Sequence, residues 1–281
     1  MRPLRISAIS FLNTAPLMWD FEHPTDVHRN FEFSYTVPSL CAKALLEGTA
    51  DIGIIPSITY ATIPGLAILP DVAIASKNQV RSILLVHKKP IEEVRTIALD
   101  TSSRTSVNLT KILLTKFFPG PNRGYRDMAP DPDAMLKECD AGLLIGDPAL
   151  LVDRTQYPAL DLAEEWRRLT GKPFVFAFWA IRMAAMSEAC CPYDLGDIFS
   201  NSRDNGLRPE NLAVLCRNWA PRLSLSEAHV HTYLTENIHY WLDSENTEGL
   251  ELFYRYAHEL NLIPEVPSLR LLGNLALRLY K

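Results

Sequence analysis

The chain has 281 residues, 47% of them hydrophobic and 22% charged, with a formal net charge of −5. That suits a globular protein with a full core, in one large or two modest domains. The acidic balance speaks against nucleic acid as a partner, since neutralising phosphates needs a basic field; a local pocket for a small anion stays open.

The first expected strand, residues 5–9, stops at Ser10, and Asn13, Thr14 and Pro16 follow at once where a helix over 15–21 begins. The apolar run from Leu4 to Leu12 is short and broken by Arg5, Ser7 and Ser10, so it does not read as a signal peptide. No stretch approaches the ~20 apolar residues of a membrane span. The expectation is a cytosolic chain with no membrane partner. Strand 31–36 and helix 38–47 come next, then a buried strand, 52–55, ending at Pro56-Ser57 with helix 57–63 behind it. Strands 66–75 and 81–87 follow, the second carrying Ser82.

Helix 91–94 and strand 96–99 lead to Asp100 and then Thr101-Ser102-Ser103-Arg104-Thr105-Ser106, which open helix 103–118. Strand 124–127, helix 132–138 and strand 141–145 lead to Gly146-Asp147-Pro148 and helix 147–153. Helix 161–170 precedes strand 175–182, where Phe174, Phe176 and Phe178 share a face by period two. One aromatic of that strand, Phe178, is expected at the floor of a cleft. Beyond it the chain reads as helix: 194–206, 211–220, 224–237 with Ser224 and Glu227 as a capping box, and 247–260 with Thr247 at its start.

Strands alternating with helices mark an α/β protein. Two apparent crossings divide it into a discontinuous α/β domain, 1–87 with 183–281, and an inserted one, 88–182. Two such lobes enclose a cleft at their strand ends, where ligands of open α/β sheets sit. Four strand-to-helix junctions, two per lobe, carry Ser, Thr, Asn or Asp there. Each is readable as a helix cap alone; together they suit a polar or anionic ligand held by hydroxyls and helix-start N–H groups. At Thr101–Ser106, Arg104 adds a guanidinium that can grip a carboxylate, or else face solvent. Asp147 is an N-cap, a partner for a ligand hydroxyl, or a base.

The five cysteines, Cys190-Cys191 among them, form no CxxC pair or zinc pattern and read as free thiols. No histidines cluster with acids at metal spacing; His229 and His231 diverge on a helix. P-loop, GxGxxG, GxSxG and HExxH patterns are absent, against an NTPase, a dinucleotide enzyme or an α/β-hydrolase.

In order along the chain stand "RISAISFLNTAPL", "LLEGTADIGIIPSITY", "SILLV", "ALDTSSRTSVNLTKILL", "DAGLLIGDPAL", "DLAEEWRRLTGKPFVFAFWA" and "ELNLIPEVPSLRLL". These segments resemble the chorismate dehydratases of the futalosine route to menaquinone over nearly the whole length. The resemblance implies a two-lobed, type II periplasmic-binding-protein-like fold and a hydro-lyase that turns chorismate into 3-[(1-carboxyvinyl)oxy]benzoate and water. It implies no cofactor or metal, a small-molecule substrate, and a monomer or homodimer. Within it, Asn13 and Asp147 are the expected catalytic residues. Ser10, Thr14, Ser57, Ser82, Thr101, Ser103, Arg104, Thr105, Ser106, Gly146 and Phe178 are expected to bind substrate. The dihydroxynaphthoate synthase of the same route is the nearer alternative, although it opens differently from Ser10-Phe11-Leu12-Asn13. A non-catalytic solute-binding protein is the alternative of another class.

Overall fold

The computed structural model describes residues 2–24, 28, 30–188 and 194–273. Ten strands form two five-stranded sheets. In the first, the order is β2 (Phe31–Thr36), β1 (Leu4–Ile9), β3 (Ile52–Pro56), β10 (Phe174–Arg182) and β4 (Leu66–Ser76). In the second it is β7 (Gly124–Asp127), β6 (Thr96–Leu99), β8 (Ala141–Ile145), β5 (Ile83–His87) and β9 (Ala159–Asp161). β1 is parallel to β2 and β3, and β6 to β7 and β8, while β10 and β5 run antiparallel to their neighbours.

The central strands β3 and β8 are apolar at every position because helices cover both of their faces. The helices are α1 (Trp19–Glu22), α2 (Pro38–Glu47), α3 (Ser57–Tyr60), α4 (Arg104–Lys116), α5 (Pro132–Glu138), α6 (Asp147–Leu150), α7 (Leu162–Thr170), α8 (Ala185–Glu188), α9 (Leu195–Gly206), α10 (Pro209–Leu223), α11 (Glu227–Thr232) and α12 (Ser244–Glu259). Local chemistry sets their ends. α2 opens on Pro38, whose fixed φ suits the first turn, and stops at Gly48 with φ +72°. Ser103 caps α4 and Asp161 caps α7.

The sheets exchange two strands relative to the sequence reading. Strand 81–87 was expected in the first domain but its core, β5, lies in the second sheet; β10, expected in the inserted domain, lies in the first. The chain therefore crosses between sheets at about 77–82 and 171–173, earlier than expected both times. The first crossing is pinned by the Asp161 carboxylate, which accepts the N–H groups of Val80 and Arg81, the latter with φ +63°. The C-terminal helices also depart from expectation. Ser226, not Ser224, caps α11, while Ser224 adopts φ +53° and closes α10. Asp243 caps α12, and Thr247 turns its hydroxyl back to the Asp243 carbonyl. Helix 224–237 breaks at Thr232 into a wider π-helical turn, Tyr233–Asn237. The Cys190-Cys191 pair lies outside the described residues, and Cys41, Cys139 and Cys216 are free and buried.

Candidate functional site

The carboxyl ends of β1 and β3 face the start of α4 and the end of β8 across a narrow recess of about 40 Å³ between the sheets. From the first sheet and its connections come Ile9, Phe11, Asn13, Pro38, Pro56, Ile74, Phe176 and Ala177. From the crossing and the second sheet come Val80, Ser82, Ile83, Ser103, Ser106, Ile145 and Gly146. Among these described lining residues none is charged. The polar contribution is one carboxamide, three hydroxyls and the N-terminal end of α4, set in apolar walls, the usual make-up of a small-molecule site.

Asn13 sits in a 3-10 turn, Leu12–Met18, that follows β1 directly. Its Oδ1 is buried and has no hydrogen-bond partner among the described residues, which leaves an acceptor to be met by a ligand. Ser82 accepts a hydrogen bond at 2.8 Å from the hydroxyl of Tyr233. Ser103 caps α4 through a long 3.5 Å bond from the Ser106 N–H, and the two hydroxyls are 3.3 Å apart. Such a slack cap leaves hydroxyls and helix-start N–H groups available to an anion, which the helix dipole also favours. Gly146 has φ +68°, and a Cβ there would come within 3.1 Å of the Phe11 ring. A glycine is therefore what lets Phe11 from the other lobe close onto this wall.

Several expected site residues do something else. Ser10 is exposed and does not line the recess. Thr14 is buried with its hydroxyl directed at the Ile9 and Phe11 carbonyls, so it closes the turn that presents Asn13. Ser57 and Thr105 meet each other, with oxygens 3.3 Å apart, and Thr105 also accepts the Ile58 N–H; both tie the lobes together beside the recess. Thr101 faces an open surface groove with Asp100 and Ser39. Arg104 is exposed and stands away from the lining. Phe178 is fully buried against Tyr60, and Phe176 takes the cavity position instead. Asp147 lies just behind the lining, where its Oδ1 accepts the Leu12 N–H at 3.2 Å across the two lobes. Burial raises its pKa to about 6, with the Leu12 N–H pulling the other way.

The sequence pattern of a family described as menaquinone biosynthesis matches residues 4–259. The chain belongs to this family. A relative, the chorismate dehydratase of Thermus thermophilus, is 29% identical over 271 residues, spanning 90% of this chain and 94% of its own length. Among solved structures, protein AF1704 of Archaeoglobus fulgidus superposes with a TM-score of 0.72 at 18% identity, covering 93% of this chain and 98% of that one. The periplasmic aliphatic sulphonate binding protein SsuA of Escherichia coli superposes with a TM-score of 0.64 at 16% identity, covering 95% of both chains. The chain thus has the two-lobed architecture of periplasmic binding proteins, as the resemblance implied. None of the described helices is long and apolar enough to cross a membrane.

Proposed function

We propose that this chain is a chorismate dehydratase acting in menaquinone biosynthesis, converting chorismate to 3-[(1-carboxyvinyl)oxy]benzoate and water in the interlobe recess. The observation that carries the reading is the family match across residues 4–259, together with a chorismate dehydratase relative aligned over nearly its full length. The recess supports it in kind: apolar walls for a ring, and hydroxyls, an amide and a helix start for oxygens.

The reaction removes the C3 proton and the C4 hydroxyl of the ring and leaves a benzene ring, so the product side is strongly downhill. Positioning and modest proton transfer are what the protein supplies. In this reading Ser103, Ser106 and the start of α4 hold a carboxylate without a guanidinium, and Asn13 and Ser82 address oxygens at the reacting ring. The recess wall carries no ionisable side chain among the described residues. Asp147 stands behind it with one oxygen engaged by Leu12. A substrate carboxylate is therefore the nearer base for the C3 proton. Phe176 floors the ring.

Asn13→Ala tests the assignment. Losing a preorganised hydrogen-bonding group at the reacting centre should lower chorismate turnover by an amount corresponding to ~2–4 kcal/mol, with the melting temperature almost unmoved. Wild-type turnover in that variant would reduce Asn13 to a turn residue.

A further inference from the structure

We propose that Tyr233 is a positioning residue that sets which group donates and which accepts on the polar wall of the recess; this rests on the reading of that recess as the site of turnover. Tyr233 reaches the wall from the far C-terminal helical region. α11 carries His229 and His231 on its exposed side and ends at Thr232. The backbone then widens into the π turn Tyr233–Asn237, a rare local geometry found disproportionately at functional sites. Tyr233 is only 3% exposed there.

Its hydroxyl donates to Ser82 Oγ at 2.8 Å. A single tyrosine hydroxyl thus joins the C-terminal helical region to the crossing before β5. Burial holds it firmly in its protonated form, so it remains a donor.

This chain of bonds assigns the protons. Asn13 Oδ1, buried and unpartnered among the described residues, is left as an acceptor. The Tyr233 proton is engaged on Ser82, and the Ser82 carbonyl already accepts the Gly146 N–H at 2.7 Å. The Ser82 hydroxyl proton is then left to the recess. Asn13 accepts from a ligand hydroxyl, and Ser82 donates to a ligand oxygen. Without Tyr233 the serine rotor is unset. A ring bearing a hydroxyl beside an oxygen-rich substituent fits that polarity.

The test compares Tyr233→Phe, Ser82→Ala and the double variant, with kcat and KM on chorismate and calorimetric binding of a 3-alkoxybenzoate. Phenylalanine keeps the ring and its packing. Tyr233→Phe should lower kcat by ~10-fold, the worth of about one hydrogen bond to a group in the reacting array, with KM changing much less. In the Ser82→Ala background it should add little, since both changes interrupt one chain of bonds. Unchanged kcat in Tyr233→Phe, or losses that multiply in the double variant, would overturn the proposal. If the wild-type protein leaves chorismate intact, the functional reading fails separately and the benzoate decides on Tyr233. Equal weakening by the single and double variants supports the positioning role, and unaltered binding in Tyr233→Phe overturns it.

Discussion

At the scale of single residues, the recess is built from groups with one free valence each. Thr14 has none left, because its hydroxyl is directed at two backbone carbonyls; Asn13 beside it keeps an acceptor. Asp147 is a half-buried carboxylate whose pKa, raised from 3.8 to about 6 by desolvation, makes its ionised form costlier in the folded protein than in the unfolded chain. The sign follows from linkage. Its contribution is fully present below about pH 4 and is lost as pH rises through about 6, because the folded state holds the proton more tightly than the unfolded one. Asp147→Asn keeps an oxygen for the Leu12 N–H and removes the half-buried charge. The variant should therefore melt higher than wild type at pH 7.5, by up to ~3 kcal/mol of stability, and about equally at pH 4. Equal melting at both pH values would show that Asp147 is well solvated. The position of Asn13 was readable from a strand that ends on polar residues. The role of Tyr233 was not, since a tyrosine in an amphipathic helix looks like any half-buried aromatic until the π turn re-aims it.

Among the elements, α4 carries the clearest lesson. Ser103 and Ser106 are three apart and share one face of a helix, whereas Arg104 and Thr105 are turned away from that face. Helical phase accordingly sends the two serines to the recess, Thr105 to the other lobe and Arg104 to solvent. Arg104→Ala should leave the binding of a 3-substituted benzoate within ~0.5 kcal/mol, as for most surface changes. Ser106→Ala should weaken it by ~1.5–3 kcal/mol, the worth of a hydrogen bond to a charged group. Titration calorimetry separates the two, and a larger loss in Arg104→Ala would return the guanidinium to the site. Strand β10 shows what alternation hides. Period two placed Phe174, Phe176 and Phe178 alike, but the register with β4 slips between Val175 and Ala177 and again between Phe178 and Ala180. Those bulges re-aim the strand, leaving Phe176 in the recess and Phe178 in the core. The exchange of β5 and β10 between sheets was equally hidden, because a strand's own pattern reports burial on both faces but not its partners.

On the scale of the whole molecule, the two sheets are joined by two short crossings, by a shared apolar core in which Trp166 packs against Phe174 and Phe253, and by polar contacts beside the recess. Leu12 reaches Asp147, Ile58 reaches Thr105, and Tyr233 reaches Ser82. The opposite end of the first sheet is fixed differently. Arg2, Arg5 and Arg182 surround the fully buried carboxylate of Asp51, and although burial alone would raise its pKa, their hydrogen bonds hold it far below the usual carboxylate range. A rigid base and a lightly bonded mouth suit hinge closure around a ligand. Small-angle scattering should show a smaller radius of gyration with saturating 3-substituted benzoate than without it; identical profiles would mean a preformed recess. Fold class and the alternating strand-to-helix junctions were legible along the chain because each is a local pattern. Which junctions share the recess depends on sheet partners far apart in sequence. The central claim is that this recess removes water from chorismate and does not merely hold it. Incubating the purified protein with chorismate, and following the mixture by mass and ultraviolet absorption, tests that directly. A product lighter than chorismate by one water, with the absorption of a substituted benzoate, is the expected result; chorismate recovered unchanged from a protein that binds it would contradict the account.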